Sequence, residues 1–158
     1  MSGTNWTIGI DFGTSNTAAA HTNPVKGTVE AVNLSHNRTT MSSSVYVESP
    51  EQIDVGDVAM DKAESNPAGF IPAPKRVIPQ QMFQVNGYDL SASMPVAAVL
   101  SSVVQRVSRE HGNVQPSELV LTHPEAWSSN EIKVLLDAAA QLGLSAAKIT
   151  TISEPQAA

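Results

Sequence analysis

Short apolar runs separated by turn residues dominate the first part of the chain, a pattern that predicts β-strands joined as hairpins. The runs cover residues 6–12, 17–21, 29–34 and 45–48. The turn Gly27-Thr28 precedes the third run. After the fourth run, residues 57–65 predict a helix, which Asn66-Pro67 is expected to end.

The middle of the chain is rich in proline. The four prolines of residues 67–79 are Pro67, Pro72, Pro74 and Pro79. Because each proline fixes φ and removes an amide donor, we expect a stiff extended arm here, and neither a helix nor an inner strand. Beyond it, Asn86-Gly87 lies between apolar runs at 82–85 and 88–90 and predicts a β-hairpin.

Helical periodicity begins after this hairpin. One apolar stripe follows the spacing of a helix face and consists of Val96, Val99, Leu100, Val103, Val104 and Val107. Ser93 is the expected cap of this helix and Gly112 its expected stop.

A second helix lies between two predicted strands: the short apolar run 119–122, which predicts a buried strand, and residues 148–153, which predict a further strand. It starts at the capping-box pair Ser128 and Glu131 and ends at Gly143. Its expected stripe is Ile132, Leu135, Leu136 and Ala139. The order strand, helix, strand predicts a βαβ unit with a right-handed crossover.

These elements predict an α/β fold. The proline-rich arm is not read as a linker between domains, because it lies inside a longer segment between the first hairpins and the βαβ unit. We therefore expect residues 1–37 and 116–158 to form the core subdomain, and residues 38–115 to form a smaller inserted α+β subdomain. Pro155 is expected in the first turn of a further helix.

Composition narrows the classes of function. The 158 residues carry a net charge of −6, which argues against nucleic acid as the main partner. The absence of cysteine excludes disulfides and thiolate chemistry and fits a reducing, cytoplasmic setting. The N-terminus lacks the pattern of a signal peptide, and the longest mostly apolar stretch, 94–107, is too short to span a bilayer.

The stretch GIDFGTSN, residues 9–16, holds the first candidate site. The turn after the first strand offers backbone amides and the hydroxyls of Thr14 and Ser15, groups that can cradle phosphate oxygens. Asp11 at the strand's end suits such a site if a cation such as Mg²⁺ intervenes. The alternative is an ordinary hairpin with a turn-forming aspartate. No Gly-Lys-Ser/Thr follows, so this is not a Walker loop.

Three further residues are candidates with ordinary alternatives. Glu154 also ends a predicted strand, and acids on two neighbouring strands could share the waters of one Mg²⁺; alternatively it only complements a helix dipole. Lys75 could reach a γ-phosphate from its stiff arm, or it could be a solvated lysine beside Arg76. His123 could act as a base, but we interpret it as a loop residue, since the four histidines show no metal-ligand spacing.

Seven segments occur in an order and spacing that identify a family resemblance. They are IGIDFGTSNT, NRTTMSSSVYV, VGDVAMDKAESNP, PKRVI, LVLTHPEAW, AAAQLGL and ISEPQAA. Together they resemble the nucleotide-binding domain of the seventy-kilodalton heat-shock chaperones, within the actin-like ATPase superfamily. The resemblance covers nearly the whole chain. It implies a five-stranded mixed sheet of ribonuclease-H type with the smaller subdomain inserted into it.

The resemblance also implies roles for individual residues. The family's first phosphate loop is matched by Gly13, Thr14, Ser15 and Asn16. Asp11 and Glu154 match acids that hold Mg²⁺ through water, and Lys75 matches a phosphate-contacting lysine that assists hydrolysis. Pro124 matches a proline that switches between nucleotide states.

The chain departs from the family at several positions. Met41 stands where a proline is usual, Gln156 where a threonine is usual, and Ile132, next to Lys133, where an arginine couples the proline switch. The second phosphate loop, the adenosine pocket and the peptide-binding domain are not encoded before Ala158. These departures predict an isolated first lobe of a longer protein with altered interdomain coupling.

The expected function of that parent is ATP binding and hydrolysis in a chaperone of the stress response, with Mg²⁺ and ATP or ADP as cofactors. Its partners would be the second lobe, the C-terminal region, unfolded clients and co-chaperones. The fragment alone is expected to bind ATP weakly or not at all, and to self-associate through a face that a helix covers in the family. The alternatives are a non-hydrolysing nucleotide sensor of an envelope or regulatory protein and a bacterial actin-like filament protein.

Overall fold

A computed structural model describes residues 5–35, 38–144 and 147–154 of the chain. The strands are β1 Thr7–Phe12, β2 Asn16–Asn23, β3 Thr28–Ala31, β4 Thr40–Ser42, β5 Val45–Ser49, β6 Gln52–Val55, β7 Phe70–Ile71, β8 Met82–Val85, β9 Tyr88–Ser91, β10 Glu118–His123 and β11 Lys148–Ser153. The α-helices are α1 Gly56–Ser65, α2 Ser93–Glu110 and α3 Ser129–Ala140. Two 3-10 helices span Pro67–Gly69 and Pro74–Gln80.

The main sheet is mixed, which confirms the α/β prediction. Its strands lie in the order β11-β10-β1-β2-β3. β10 runs parallel to both β1 and β11, whereas β2 is antiparallel to β1 and β3. The short strand β4 adds a sixth member by pairing with β2, which the sequence did not predict.

The sheet buries one face against helices. Ile8, Ile10 and Phe12 of β1 alternate with less buried residues, as expected for a strand with one covered face. Helix α2 contacts β1 and also α3, β5 and β6. All six residues of its predicted stripe are buried. The resulting core is one continuous cluster that includes both the main sheet and residues from the 38–115 segment; the division into two subdomains stays a prediction.

The predicted stripe of α3 is correct at Leu135 and Ala139 and wrong at Ile132 and Leu136. The buried residues of this helix are Val134, Leu135, Ala138 and Ala139. Leu136 is 38% exposed, and Ile132 is only half-buried. Both sets follow helical spacing, so periodicity alone could not choose between them. The contact with α2 selects the face on which two alanines allow a close approach.

The proline-rich arm is helical in part, contrary to the prediction. Pro67 and Pro74 each occupy the first turn of a 3-10 helix. A fixed φ near −65° suits that conformation, and an amide in the first turn has no intrahelical acceptor to lose. Between the two 3-10 helices, β7 pairs with β5 through Val45 and Ile71. The arm is therefore folded against the smaller sheet β6-β5-β7.

The turn residues predicted the structure more accurately than the prolines of the arm did. Asn86 and Gly87 have φ values of 52° and 81° and connect β8 to β9, which confirms the predicted hairpin. Gly112, with φ of 67°, follows α2 as expected. Ser93 is the first helical residue and not the cap. Pro155 lies outside the described residues. Within the described ranges, no helix is long and apolar enough to cross a membrane.

Candidate functional site

The carboxyl ends of three parallel strands define one edge of the main sheet. β1, β10 and β11 end at Phe12, His123 and Ser153. Because parallel strands end on the same side, the loop after β1, the residues after β10 and Glu154 after β11 all lie along this edge. It is the place in an α/β sheet where ligands usually bind.

The loop after β1 is closed by a backbone hydrogen bond. The amide of Gly13 donates to the carbonyl oxygen of Asn16 at 3.0 Å. A Cβ on Gly13 would lie 2.3 Å from that oxygen, closer than two such atoms approach. Only glycine therefore allows this turn geometry.

Two amides of the loop are available for a ligand. Among the hydrogen bonds of the described residues, neither the Thr14 nor the Ser15 amide finds an acceptor. Their hydroxyls likewise take part in no side-chain hydrogen bond there, and Ser15 is exposed. Four donors on two consecutive residues are suited to phosphate oxygens.

Asp11 and Glu154 line the same trough on the open face of the sheet. Its volume is about 490 Å³, and its floor includes Gly9, Ala18 and Val120. Asp11 is exposed, and one of its carboxylate oxygens accepts a hydrogen bond from the Thr122 hydroxyl at 3.0 Å.

The sequence suggested that Asp11 and Glu154 lie on neighbouring strands, but the structure shows that they do not. β10 lies between β1 and β11, so about 10 Å of backbone separates them. Strand order depends on long-range pairing, which local sequence does not encode.

Lys75 lies in the second 3-10 helix and reaches Glu154. Its Nζ is 3.1 Å from Glu154 Oε2, and its side chain is only 11% exposed. The ammonium also lies 5.7 Å from the centre of the Trp127 ring, within cation–π range. The alternative of a solvated lysine beside Arg76 is therefore wrong. A lysine and an acid 79 residues apart in sequence form one charged pair.

Trp127 ends the segment LVLTHPEAW and had no predicted role, and the structure places it beside Lys75. Its ring also stacks on His123, with centroids 6.1 Å apart. His123 is the last residue of β10, paired in register with Ser153, and not a loop residue. Its Nδ1 lies 2.9 Å from the carbonyl oxygen of Pro124. The sequence signals for Trp127 were its place in the segment LVLTHPEAW and its rarity, since the chain has two tryptophans.

The region after β10 begins with Pro124, the residue expected to act as a switch. Pro124 follows β10 directly, and its carbonyl oxygen accepts from the Trp127 amide at 3.1 Å. Lys133, which stands beside the usual arginine position, is 72% exposed and pairs with Asp137 at 3.3 Å. The ammonium is therefore engaged one turn further along α3.

The carboxylates of Asp11 and Glu154 suit a metal ion that keeps most of its water ligands. Within the part of the chain that the structure describes, no three His, Asp or Glu side chains group as metal ligands. Asp11 and Glu154 alone cannot form a cage for an ion. Mg²⁺ does not need one, because it keeps several waters and binds through one or two carboxylates and substrate phosphates. The residues present thus fit a hydrated Mg²⁺ beside a phosphate.

A second polar cluster joins the end of α2 to the sheet. His21 Nδ1 lies 2.7 Å from His111 Nε2, and the Trp6 ring stacks on His111 at 3.9 Å. Burial of the ring, followed by the nearby His21, lowers the pKa of His111, while Glu110 and Glu30 oppose this. This contact could not be predicted from local sequence, because the two histidines are 90 residues apart.

Comparison with known proteins places this geometry in context. No protein-family model matches the chain. It is 30% identical over 154 residues to the chaperone protein DnaK of Picrophilus torridus and, over the same length, to that of Endomicrobium trichonymphae. It is 32% identical over 155 residues to DnaK of Elusimicrobium minutum. Each match covers 96% of this chain, and the chain spans about a quarter of the length of these curated relatives. The resemblance inferred from the motifs is therefore confirmed.

Proposed function

We propose that this chain is the first lobe of an ATP-binding and ATP-hydrolysing chaperone-like protein. The proposal is supported by the similarity of the chain, over almost its whole length, to part of the DnaK chaperones, the seventy-kilodalton heat-shock proteins. In this proposal the main sheet and its insertion form a lobe of the actin-like, ribonuclease-H-like type. The parent would act on unfolded clients in the cytoplasm.

One observation carries the proposal. Glu154, Lys75 and the loop after Asp11 come from distant parts of the sequence and meet at the carboxyl edge of three parallel strands. The edge combines unpaired amide donors, a nearly buried ammonium and two carboxylates. This set complements a phosphate chain with a bound divalent cation better than it complements an uncharged ligand.

Each group has a distinct part in the proposed reaction. The Thr14 and Ser15 amides bind phosphate oxygens, and the Lys75 ammonium stabilises negative charge on the phosphoryl group during its transfer to water. Asp11 and Glu154 would hold Mg²⁺ through water, and the ion would supply charge neutralisation. Thr122 orients the Asp11 carboxylate, and Trp127 restricts the motion of Lys75. Catalysis would thus consist of positioning and charge stabilisation.

The test compares two lysines in the full-length protein. Lys75→Ala should abolish most ATP turnover, whereas Lys133→Ala should not, because Lys133 pairs with Asp137 on the exposed side of α3. MgATP binding is measured alongside by calorimetry. Turnover that survives Lys75→Ala unchanged contradicts the proposed role. For the 158-residue chain alone we expect weak or no MgATP binding, and micromolar affinity would refute that expectation.

A non-hydrolysing nucleotide sensor is the second candidate. It is favoured by Ile132 at the usual arginine position and by the engagement of Lys133 with Asp137. A sensor would bind MgATP without turnover in the wild-type protein. The same measurements therefore separate the two functions.

Self-association of this chain remains a prediction. The open face of the sheet carries small and apolar side chains, including Ala18, Ala20, Val120 and Ile152. Light scattering over a wide concentration range tests it, and a monomer throughout would refute it.

A further inference from the structure

Two buried hydroxyl groups lie behind the loop after β1. Thr17 and Ser43 are both fully buried. Their side-chain oxygens are 2.8 Å apart, and the Ser43 hydroxyl donates to the carbonyl oxygen of Gly13 at 2.9 Å. Buried hydroxyls away from a ligand normally serve to satisfy backbone groups, and here the backbone group belongs to the loop.

Thr17, Ser43 and the Gly13 carbonyl oxygen form a hydrogen-bond relay, and the direction of its hydrogen bonds follows from counting the hydroxyl protons. Ser43 has one hydroxyl proton, which it donates to Gly13. The hydrogen bond between the two side chains must therefore use the proton of Thr17, with Ser43 Oγ as acceptor. The relay runs from Thr17 through Ser43 to the loop carbonyl, so loss of either hydroxyl weakens the hold on Gly13.

Ser43 also holds the loop at a second point. Its backbone amide donates to the carbonyl oxygen of Ser15 at 2.9 Å. One residue, just beyond β4, therefore fixes two loop carbonyls that are two residues apart. In a planar trans peptide the N–H points opposite to the C=O. The amides of Thr14 and Asn16 are consequently directed away from Ser43.

We propose that Ser43 and Thr17 are positioning residues of the phosphate loop, which fix the peptide planes on either side of the Thr14-Ser15 pair and so present the Thr14 amide to a bound phosphate group. The phosphate part of this inference rests on the proposed function. The two residues touch no ligand themselves and act only through the loop backbone.

Matched variants distinguish the effect of losing a hydroxyl group of the relay from the effect of changing side-chain packing. Ser43→Ala and Thr17→Val each remove a hydroxyl, and the second keeps the side chain's shape. Thr17→Ser restores the hydroxyl without the methyl group. Ser42→Ala is the neighbouring control, because the Ser42 hydroxyl bonds only to Ser44 in the described structure.

The first measurement is hydrogen exchange of the Gly13 amide by NMR, referred to the Leu121 amide in β10 as a monitor of global stability. We expect exchange about tenfold faster in Ser43→Ala and Thr17→Val, which is the order of effect of one lost hydrogen bond. Thr17→Ser and Ser42→Ala should exchange at the wild-type rate. Equal exchange in Ser43→Ala and Ser42→Ala would overturn the proposal.

The second measurement is a titration of the full-length protein with MgADP, followed at the Thr14 and Ser15 amides. Saturating shifts are expected in the wild-type full-length protein, with an apparent Kd about tenfold higher in Ser43→Ala and Thr17→Val and rescue in Thr17→Ser. If Thr17→Val binds as well as Thr17→Ser, the relay does not position the amides for phosphate. If the wild-type full-length protein shows no shift, the proposed function fails, while the exchange result still decides whether Ser43 holds the loop.

Discussion

Replacing Gly13 by alanine tests the geometry of the loop more directly than any other single change. The new Cβ would lie 2.3 Å from the carbonyl oxygen of Asn16 and 3.5 Å from its carbon. The oxygen belongs to the backbone, so no side chain can rotate away to relieve the clash. The loop itself must move.

The size of the effect follows from the bonds that this movement breaks. An ordinary contact requires the two atoms to separate by about 1 Å more. The Gly13 amide donates to the same oxygen at 3.0 Å, and such a shift takes that bond beyond hydrogen-bonding range. Together with strain on the Ser43 bonds to the loop, we expect a loss of about 2 kcal/mol in the free energy of unfolding. For a chain of this size that lowers Tm by about 4–8 °C.

Gly9 provides the matched control. It lies in β1, four residues earlier, and a Cβ there meets nothing within 4 Å. Gly9→Ala should therefore leave stability unchanged or raise it by up to about 1 kcal/mol, because alanine reduces the entropy of the unfolded chain. Thermal and urea unfolding of both variants give the comparison. If Gly13→Ala is as stable as Gly9→Ala, the close approach to Asn16 is not what requires glycine.

Two further predictions concern the α-helices. Because the pKa of His111 is lowered in the folded chain, the unfolded chain binds a proton at this residue more readily, and the free energy of unfolding should fall as the pH drops below about 6.5. Urea unfolding midpoints measured between pH 7.5 and pH 5.5 should show this slope in the wild type and a smaller slope in His111→Phe. Equal slopes in the two proteins would contradict the assignment to His111. Ser128→Ala breaks the capping box at the start of α3 and should cost about 1 kcal/mol, whereas Ser129→Ala, one residue later and exposed, should cost little by the same thermal assay.

Elements with strong local signals were predictable from the sequence. The runs that became β10 and β11 are short and bounded by polar or turn residues, which was enough to predict two strands, although only β10 contains fully buried residues. Asn86-Gly87 correctly predicted a β-hairpin, because both residues tolerate the positive φ of the turn. The proline-rich arm failed as a prediction because proline limits φ without deciding whether an i to i+3 turn forms.

The candidate site was predictable residue by residue but not as an arrangement. Asp11, Lys75 and Glu154 were each found from their motifs. The pairing of Lys75 with Glu154 and the contact with Trp127 join residues that are 79 and 52 positions apart, and only the folded sheet brings them together. The Thr17 and Ser43 relay has no motif at all, because single hydroxyl residues are common and become informative only through burial.

The pairing of Lys75 with Glu154 has a consequence for the proposed chemistry. In the described structure these two charges neutralise each other at 3.1 Å, and the lysine is nearly buried. A phosphate group that attracted Lys75 would leave the Glu154 carboxylate without its partner beside a second negative charge. Leaving the Glu154 carboxylate unpaired costs free energy unless another cation replaces the lysine, although its 42% exposure to solvent moderates that cost. Glu154 is therefore expected to favour nucleotide binding only together with a divalent cation, so ADP without Mg²⁺ should bind more weakly than MgADP, and Glu154→Gln should reduce that difference.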